Sequence, residues 1–121
     1  MSSIIGVGGV FLKSKDPENL KKWYTETLGL PTEHGMTIFE SMGKGEQTVF
    51  SIFDQNSDHF APSTELFMLN FRVKDLVKLL ADLKAKGVEQ VKEMQDSEYG
   101  KFTWIMDPEG RKIELWEPAA E

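Results

Sequence analysis

The chain of 121 residues contains no cysteine, which excludes disulfide bonds and thiolate metal ligands. It also lacks any apolar run near the roughly 18 residues needed to cross a bilayer. The first nine residues, MSSIIGVGG, have neither the basic start nor the apolar core of a secretory signal. These absences favour a cytoplasmic protein that does not bind membranes.

Basic residues are in the minority, with 14 Lys and Arg against 20 Asp and Glu, and the net charge is −6. The basic residues are interspersed with acidic ones, so no nucleic-acid partner is expected. The acidic balance would suit a cationic small ligand, although solubility alone also explains it. A hydrophobic content of 40% in 13.8 kDa predicts one globular domain over residues 1–121.

An internal repeat is the main signal in the sequence. Residues 9–30 and 68–88 each have the pattern of a strand, a helix that starts at an aspartate (Asp16, Asp75) and a glycine stop. Short strand-like runs follow each copy, at 36–42, 46–54, 88–94, 101–107 and 112–117. Turns are predicted at Gly43-Lys44-Gly45 and Pro108-Glu109-Gly110. Each copy is therefore predicted to be β-α-β-β-β.

The spacing of apolar residues predicts which faces are covered. One apolar face is expected on each helix, formed by Leu20, Trp23, Tyr24 and Leu28 in the first and by Leu76, Leu79, Leu80 and Leu83 in the second. Alternation along the strands places Val10, Leu12, Leu69, Phe71 and Val73 under the helices. The opposite face then carries Gly9, Phe11, Lys13, Met68, Asn70 and Arg72. An asparagine and an arginine on that face are typical of a pocket.

The segments DPENLKKWYTETLGL and DPEGRKIELWEP, within two such modules, resemble the vicinal oxygen chelate superfamily. This superfamily includes glyoxalase I, bleomycin-resistance proteins and extradiol dioxygenases, and the resemblance covers almost the whole chain. It implies an α+β fold in which two modules, about 4–54 and 66–118 with a linker at 55–65, form paired incomplete barrels around one cavity. It also implies a homodimer.

The chemistry of that superfamily normally rests on a divalent metal held by side chains of both modules. Carried onto this sequence, the two histidine positions fall on Gly9 and Met68, which offer no suitable ligand. The first module's other ligand should lie in 48–53, which has no carboxylate, amide or imidazole, so only Glu114 remains. A lone carboxylate does not hold such an ion against water. No cofactor is therefore expected, and a bound divalent metal is the less favoured alternative.

Glu114 is the candidate catalytic residue, as a general base or as an anchor for a ligand. Alternatively, its carboxylate is only tied to Asn70 or Arg72 on the neighbouring strand. Asn70 and Arg72 are themselves candidates for binding a substrate's carboxylate or carbonyl. The aromatic candidates for substrate binding, although most aromatic residues of a small domain are core, are Phe11, Phe50, Trp104 and Trp116.

Neither histidine falls at a ligand position of the superfamily pattern. His59 lies in the linker, where a ligand or a partner could reach it, but a solvated loop residue is the expected reading. Three functions follow: a metal-free small-molecule-binding protein, which is favoured; a glyoxalase-like lyase or isomerase with Glu114 as base; and a non-catalytic interaction module. A cavity filled by core side chains would favour the third, and an open cavity the first two.

Overall fold

The structure is a computed structural model that describes residues 3–32, 35–40 and 47–119. His34, the other histidine of the sequence, and the predicted turn at 43–45 lie outside these residues. Within them the chain forms, in order, β1 (Ile4–Ser14), α1 (Pro17–Glu26), β2 (Thr37–Glu40), β3 (Gln47–Asp54), β4 (Phe67–Val73), α2 (Leu76–Ala85), β5 (Gln90–Ser97), β6 (Gly100–Met106) and β7 (Lys112–Pro118).

All seven of these strands belong to one open sheet with the order β2-β3-β1-β4-β7-β6-β5. The first strands of the two modules, β1 and β4, pair antiparallel at its centre, and each pairs in parallel with the last strand of its own module, β3 or β7. The predicted α+β class is therefore confirmed. In the described part of the first module only two strands, β2 and β3, follow the helix. The third strand that the β-α-β-β-β pattern predicts is not found in that part of the chain.

Both helices begin and end where the sequence predicts, because their signals are local. The aspartate before each helix accepts a hydrogen bond from the backbone N–H three residues on, at 3.2 Å for Asp16 and 3.1 Å for Asp75. Gly29 and Gly87 follow with φ of +73° and +85°, a conformation that favours glycine. Neither helix of the described chain is long and apolar enough to cross a membrane.

The two helices differ in how they pack. Helix α2 buries Leu76 and Leu79 against the sheet, whereas α1 has no buried residue. Trp23 is 48% exposed and Leu28 is 56% exposed, so the expectation that they pack under the sheet is wrong. Of the predicted α1 face, only Leu20 and Tyr24 are half-buried. Helical spacing predicted which apolar residues lie along one side of α1, but not how many of them would pack against the sheet.

Buried apolar residues form one cluster on each face of the sheet. On the side of α2 they are Val73, Leu76, Leu79 and Leu115, with Phe71, Ile105 and Ile113 packed against them. On the opposite side they are Phe11, Phe60, Met68 and Trp104, with Val49, Phe53 and Phe102 packed against them. Phe60 comes from the linker, which folds back over the sheet. The second cluster surrounds the polar residues discussed next.

Candidate functional site

Glu114 lies on β7 directly opposite Asn70 on β4, and its side chain is almost completely buried. Its Oε2 accepts a hydrogen bond of 2.6 Å from Nδ2 of Asn70, and its Oε1 accepts one of 2.9 Å from the indole N–H of Trp104. Nε2 of His59 is 3.4 Å from the same Oε1. The two strand pairings thus bring together a carboxylate, an amide and an indole, and the linker adds an imidazole.

Beside this carboxylate is a cavity of about 170 Å³, which we call the aromatic cavity. Glu114, Asn70 and His59 lie on its wall. Its apolar lining includes Phe11, Val49, Phe53, Phe102 and Trp116, and Phe102 stacks on Trp116 with ring centroids 5.9 Å apart. The volume is below the roughly 300–1,000 Å³ of pockets for drug-sized ligands. The site therefore fits a small molecule.

Gly8 is a site residue that the sequence analysis missed. A Cβ added at this position would overlap Oδ1 of Asn70 and lie 3.0 Å from the ring of Trp116. Oδ1 of Asn70 is buried and has no hydrogen-bond partner among the described residues. Only glycine allows β1 to approach these side chains so closely. The glycine-rich start of β1 was the available signal.

His59 is not the solvated loop residue that was expected. Its ring stacks on Phe53 with centroids 4.9 Å apart and an interplanar angle of 5°, and it meets Trp104 edge-on at 6.2 Å. The backbone oxygen of His59 also accepts a 2.6 Å hydrogen bond from Nζ of Lys112. The pairing of His59 with buried Phe60 in an otherwise polar linker was the only sequence signal that this loop packs inward.

Phe50 does not line the aromatic cavity, which corrects its assignment as a substrate-binding residue. Alternation along β3 turns Val49, Ser51 and Phe53 towards the cavity and Phe50 towards α1. There its ring lies 5.0 Å from that of Tyr24. The composition of β3 is apolar on both faces, so its alternation could not be assigned from the sequence.

Arg72 is likewise not a cavity residue, although it lies on the predicted face of β4. Its guanidinium donates hydrogen bonds to the backbone oxygens of Val7, at 2.9 Å, and Gln47. It also donates to the hydroxyl of Thr48. These contacts tie β1 to the start of β3, so the side chain has a structural partner and no contact with the cavity.

Trp104 is buried behind Glu114 and contributes to the wall of a second cavity, described below, instead of the aromatic cavity. Phe11, Asn70, Glu114 and Trp116 are the predicted residues that line the aromatic cavity itself. A larger groove of about 810 Å³ lies between α2 and β5. It lacks the buried hydrogen-bonded carboxylate, and for this reason we place the candidate site in the aromatic cavity.

The positions that hold metal in the resembled superfamily are occupied by packing contacts. A Cβ at Gly9 would lie 2.5 Å from the carbonyl oxygen of Val49, and Met68 is buried in the apolar cluster. Asn70 on β4 pairs with Glu114 on β7, and the equivalent pair of the first module is Phe11 on β1 with Ser51 on β3. The first module therefore has a hydroxyl at the position where the second module has a carboxylate. The described residues contain no group of three or more His, Cys, Asp or Glu that could hold a metal ion. They do not fit the usual site.

The open sheet of two related modules, with a carboxylate from the second facing a cavity between them, defines a class of α+β proteins built by duplication. Comparison with known families agrees: the profile described as Glyoxalase/Bleomycin resistance protein/Dioxygenase superfamily matches residues 6–115. The chain belongs to this superfamily. A search of curated proteins finds no match.

Solved structures show the same fold at low sequence identity. Methylmalonyl-CoA epimerase from Mycobacterium tuberculosis is 24% identical, with a TM-score of 0.69 over 99% of this chain and 92% of that one. The Streptomyces coelicolor methylmalonyl-CoA epimerase in complex with 2-nitronate-propionyl-CoA is 19% identical, with a TM-score of 0.76 over 98% and 100%. A structure described as NAD-dependent benzaldehyde dehydrogenase from Legionella pneumophila is 13% identical, with a TM-score of 0.61 over 92% and 98%.

Proposed function

We propose that this protein binds a small organic molecule in the aromatic cavity and does so without a metal ion. The observation that carries the proposal is the buried carboxylate of Glu114 on the wall of an open, ring-lined cavity. Aromatic rings supply apolar contact area, and a few fixed polar groups supply orientation, which is the usual composition of a small-molecule site. Because the cavity is not filled by core side chains, an interaction module is the least supported of the three functions.

The metal-free part of the proposal rests on the packing at Gly9 and Met68. A side chain at Gly9 would collide with the backbone oxygen of Val49, which cannot swing aside as a side chain can. A divalent ion bound by Glu114 and His59 alone would lack the three or four protein ligands that zinc sites use. The binding energy must then come from contacts with the protein itself.

The hydrogen bonds of Glu114 indicate what the ligand should offer. A carboxylate has about four lone-pair positions, and from the part of the chain that the structure describes Oε2 accepts only the hydrogen bond from Asn70. A ligand can therefore donate an N–H or O–H to Oε2 while its apolar part contacts Phe11 and Trp116. A cationic donor fits best, because the protein's net charge of −6 attracts it.

The test is a thermal-shift titration with benzylamine, which has a ring and an ammonium group, against benzoate, which has the ring and a carboxylate. Benzylamine should raise the Tm of the wild-type protein, since a ligand at 100 times its Kd stabilises by about 2.7 kcal/mol. The rise should be absent in Glu114→Gln and retained in Glu93→Gln, a control at an exposed carboxylate on β5.

Two kinds of result would overturn this proposal. One is an equal response to benzoate, or a full benzylamine response in Glu114→Gln, because either would mean that the carboxylate does not select the ligand. The other is a near-stoichiometric content of zinc, nickel, iron or manganese in untagged protein purified without chelators. Elemental mass spectrometry measures that content directly.

A glyoxalase-like lyase or isomerase with Glu114 as base is the second candidate. It is favoured by the 3.4 Å contact between the Glu114 carboxylate and the His59 imidazole at an open cavity, since such a pair can move a proton. Several similar folds belong to epimerases that bind CoA esters. It ranks second because Arg72, a candidate for binding a substrate's carboxylate or carbonyl, is engaged with backbone oxygens instead.

Deuterium uptake from D₂O separates the two candidates. Methylmalonyl-CoA incubated with wild-type protein should gain deuterium at its α-carbon only if the protein abstracts that proton, and Glu114→Gln should abolish the gain. No uptake in the wild-type protein would remove this isomerase reaction and leave ligand binding in first place. The homodimer stays a prediction, and light scattering of the purified protein tests it.

A further inference from the structure

A second cavity, of about 280 Å³, lies on the other side of His59 from the aromatic cavity. We call it the lysine cavity, since Lys92 and Lys112 line it together with Asp58, His59 and Trp104. His59 is the one residue shared with the lining of the aromatic cavity. No predicted function draws on this cavity.

Two ammonium groups converge on one aromatic ring in the lysine cavity. Nζ of Lys92 is 5.4 Å and Nζ of Lys112 is 5.6 Å from the ring centroid of Trp104. Such cation–π contacts hold a cation in place but do not neutralise its charge. Two like charges are therefore fixed at the same small cavity by the same ring.

Lys112 is only 6% exposed, and a lysine so deeply buried is normally paired with an anion. Its side-chain hydrogen bond goes instead to the backbone oxygen of His59, and within the described residues neither lysine forms an ion pair. Of the three N–H donors of this ammonium, two remain for another partner. Burial, followed by the positive charge of Lys92, lowers the pKa of Lys112, and the nearby carboxylates of Glu114 and Asp58 only partly offset these effects.

We infer that the lysine cavity is an anion-binding site that takes the phosphate or carboxylate group of a small ligand. The anion would accept hydrogen bonds from the free donors of Lys112 and balance the charge of Lys92. Asp58 and Glu114 are near Lys112 but form no ion pair with it, so an occupant of the opposite sign is what this buried charge favours. The inference does not depend on the ligand proposed for the aromatic cavity.

The test is a titration with inorganic phosphate and, separately, with sodium acetate, at constant ionic strength. The indole N–H resonance of Trp104 in ¹H–¹⁵N spectra reports on the cavity, and Trp104→Phe assigns it among the three tryptophans. We expect a saturable shift with at least one of the two anions. A response to phosphate alone assigns a phosphate-bearing ligand, and a response to acetate alone assigns a carboxylate.

Variants decide whether the lysines are responsible. Lys92→Met and Lys112→Met should each weaken binding at least tenfold, while Lys112→Arg, which keeps the charge if Lys112→Met fails to fold, should bind within a few-fold of wild type. Lys78→Met removes an exposed lysine from α2, which packs on the opposite face of the sheet, and should change nothing. No shift with either anion, or an equal loss in Lys78→Met, would overturn the inference.

Discussion

Helix α1 buries no residue, whereas α2 places Leu76 and Leu79 fully against the sheet, although the two helices have the same length and the same type of cap. The two modules also contribute different kinds of groups to the candidate site. The first supplies close-packed backbone and rings, such as Gly8 and Phe11, and the second supplies the polar groups of Asn70 and Glu114. A repeat in sequence thus specifies equivalent elements without giving them equivalent burial or chemistry.

The largest expected effect comes from breaking the packing of α2. Leu76→Ala removes a side chain with 0% exposure and should lower the free energy of unfolding by about 2–5 kcal/mol, through lost burial and a residual cavity. Leu28→Ala, after α1, should cost well under 1 kcal/mol because that side chain is already 56% exposed. Urea titrations of both variants measure the contrast, and similar losses would mean that α1 is docked more tightly than its exposure indicates.

The next effect comes from the two adjacent glycines of β1. Gly9→Ala should destabilise by about 1–3 kcal/mol, because its Cβ meets the backbone of β3 at the oxygen of Val49. Gly8→Ala meets the end of the Asn70 side chain instead, so it should cost less stability but should shift the Trp104 indole resonance by disturbing the Asn70–Glu114 hydrogen bond. An unperturbed indole signal in folded Gly8→Ala protein would argue against this close fit.

A smaller effect on the free energy of unfolding should appear when the pH is raised and Lys112, the buried lysine of the second module, loses its proton. The pKa of Lys112 is lowered in the folded state by burial and by the charge of Lys92, so the folded protein releases this proton before the unfolded chain does. The wild-type free energy of unfolding should therefore rise, relative to that of Lys112→Met, as the pH rises towards 10.5. A difference between the two proteins that does not vary with pH would contradict the lowered pKa.

The smallest effects are expected at the helix caps. Asp75→Ala should cost about 1 kcal/mol, since it removes the cap of a helix on which the core depends. Asp16→Ala removes the same hydrogen bond from the peripheral α1, so it should fray that helix while changing global stability less. Amide hydrogen exchange along α1, combined with urea titration, distinguishes local fraying from global loss.

The sequence was most informative where the signal was local or periodic. Asp16, Asp75, Gly29 and Gly87 mark helix ends through contacts within a few residues. Alternation along β4 correctly gave the face of Asn70, and its place beside Glu114 followed from the strand order that the resemblance implied. It was least informative at β3, where both faces are apolar and the side of Phe50 could not be assigned.

The candidate site also depends on contacts that no local pattern encodes. His59 reaches Glu114 only because the linker folds over the sheet, and the 55 residues of separation leave no periodic signal of that contact. Gly8 matters because of two side chains more than 60 residues away. Such long-range contacts exist only once the sheet is assembled. The sequence could predict which residues of β4 and β7 face the cavity, but not which other residues would cover them.

The contact between Gly9 and the oxygen of Val49 has an evolutionary consequence. A histidine introduced at position 9 would push β1 away from β3 before it could serve as a ligand. Met68 and the 48–53 segment would each need a further substitution. Acquiring the superfamily's usual ligand set would therefore take at least three substitutions in this chain, and the one at position 9 would itself cost stability.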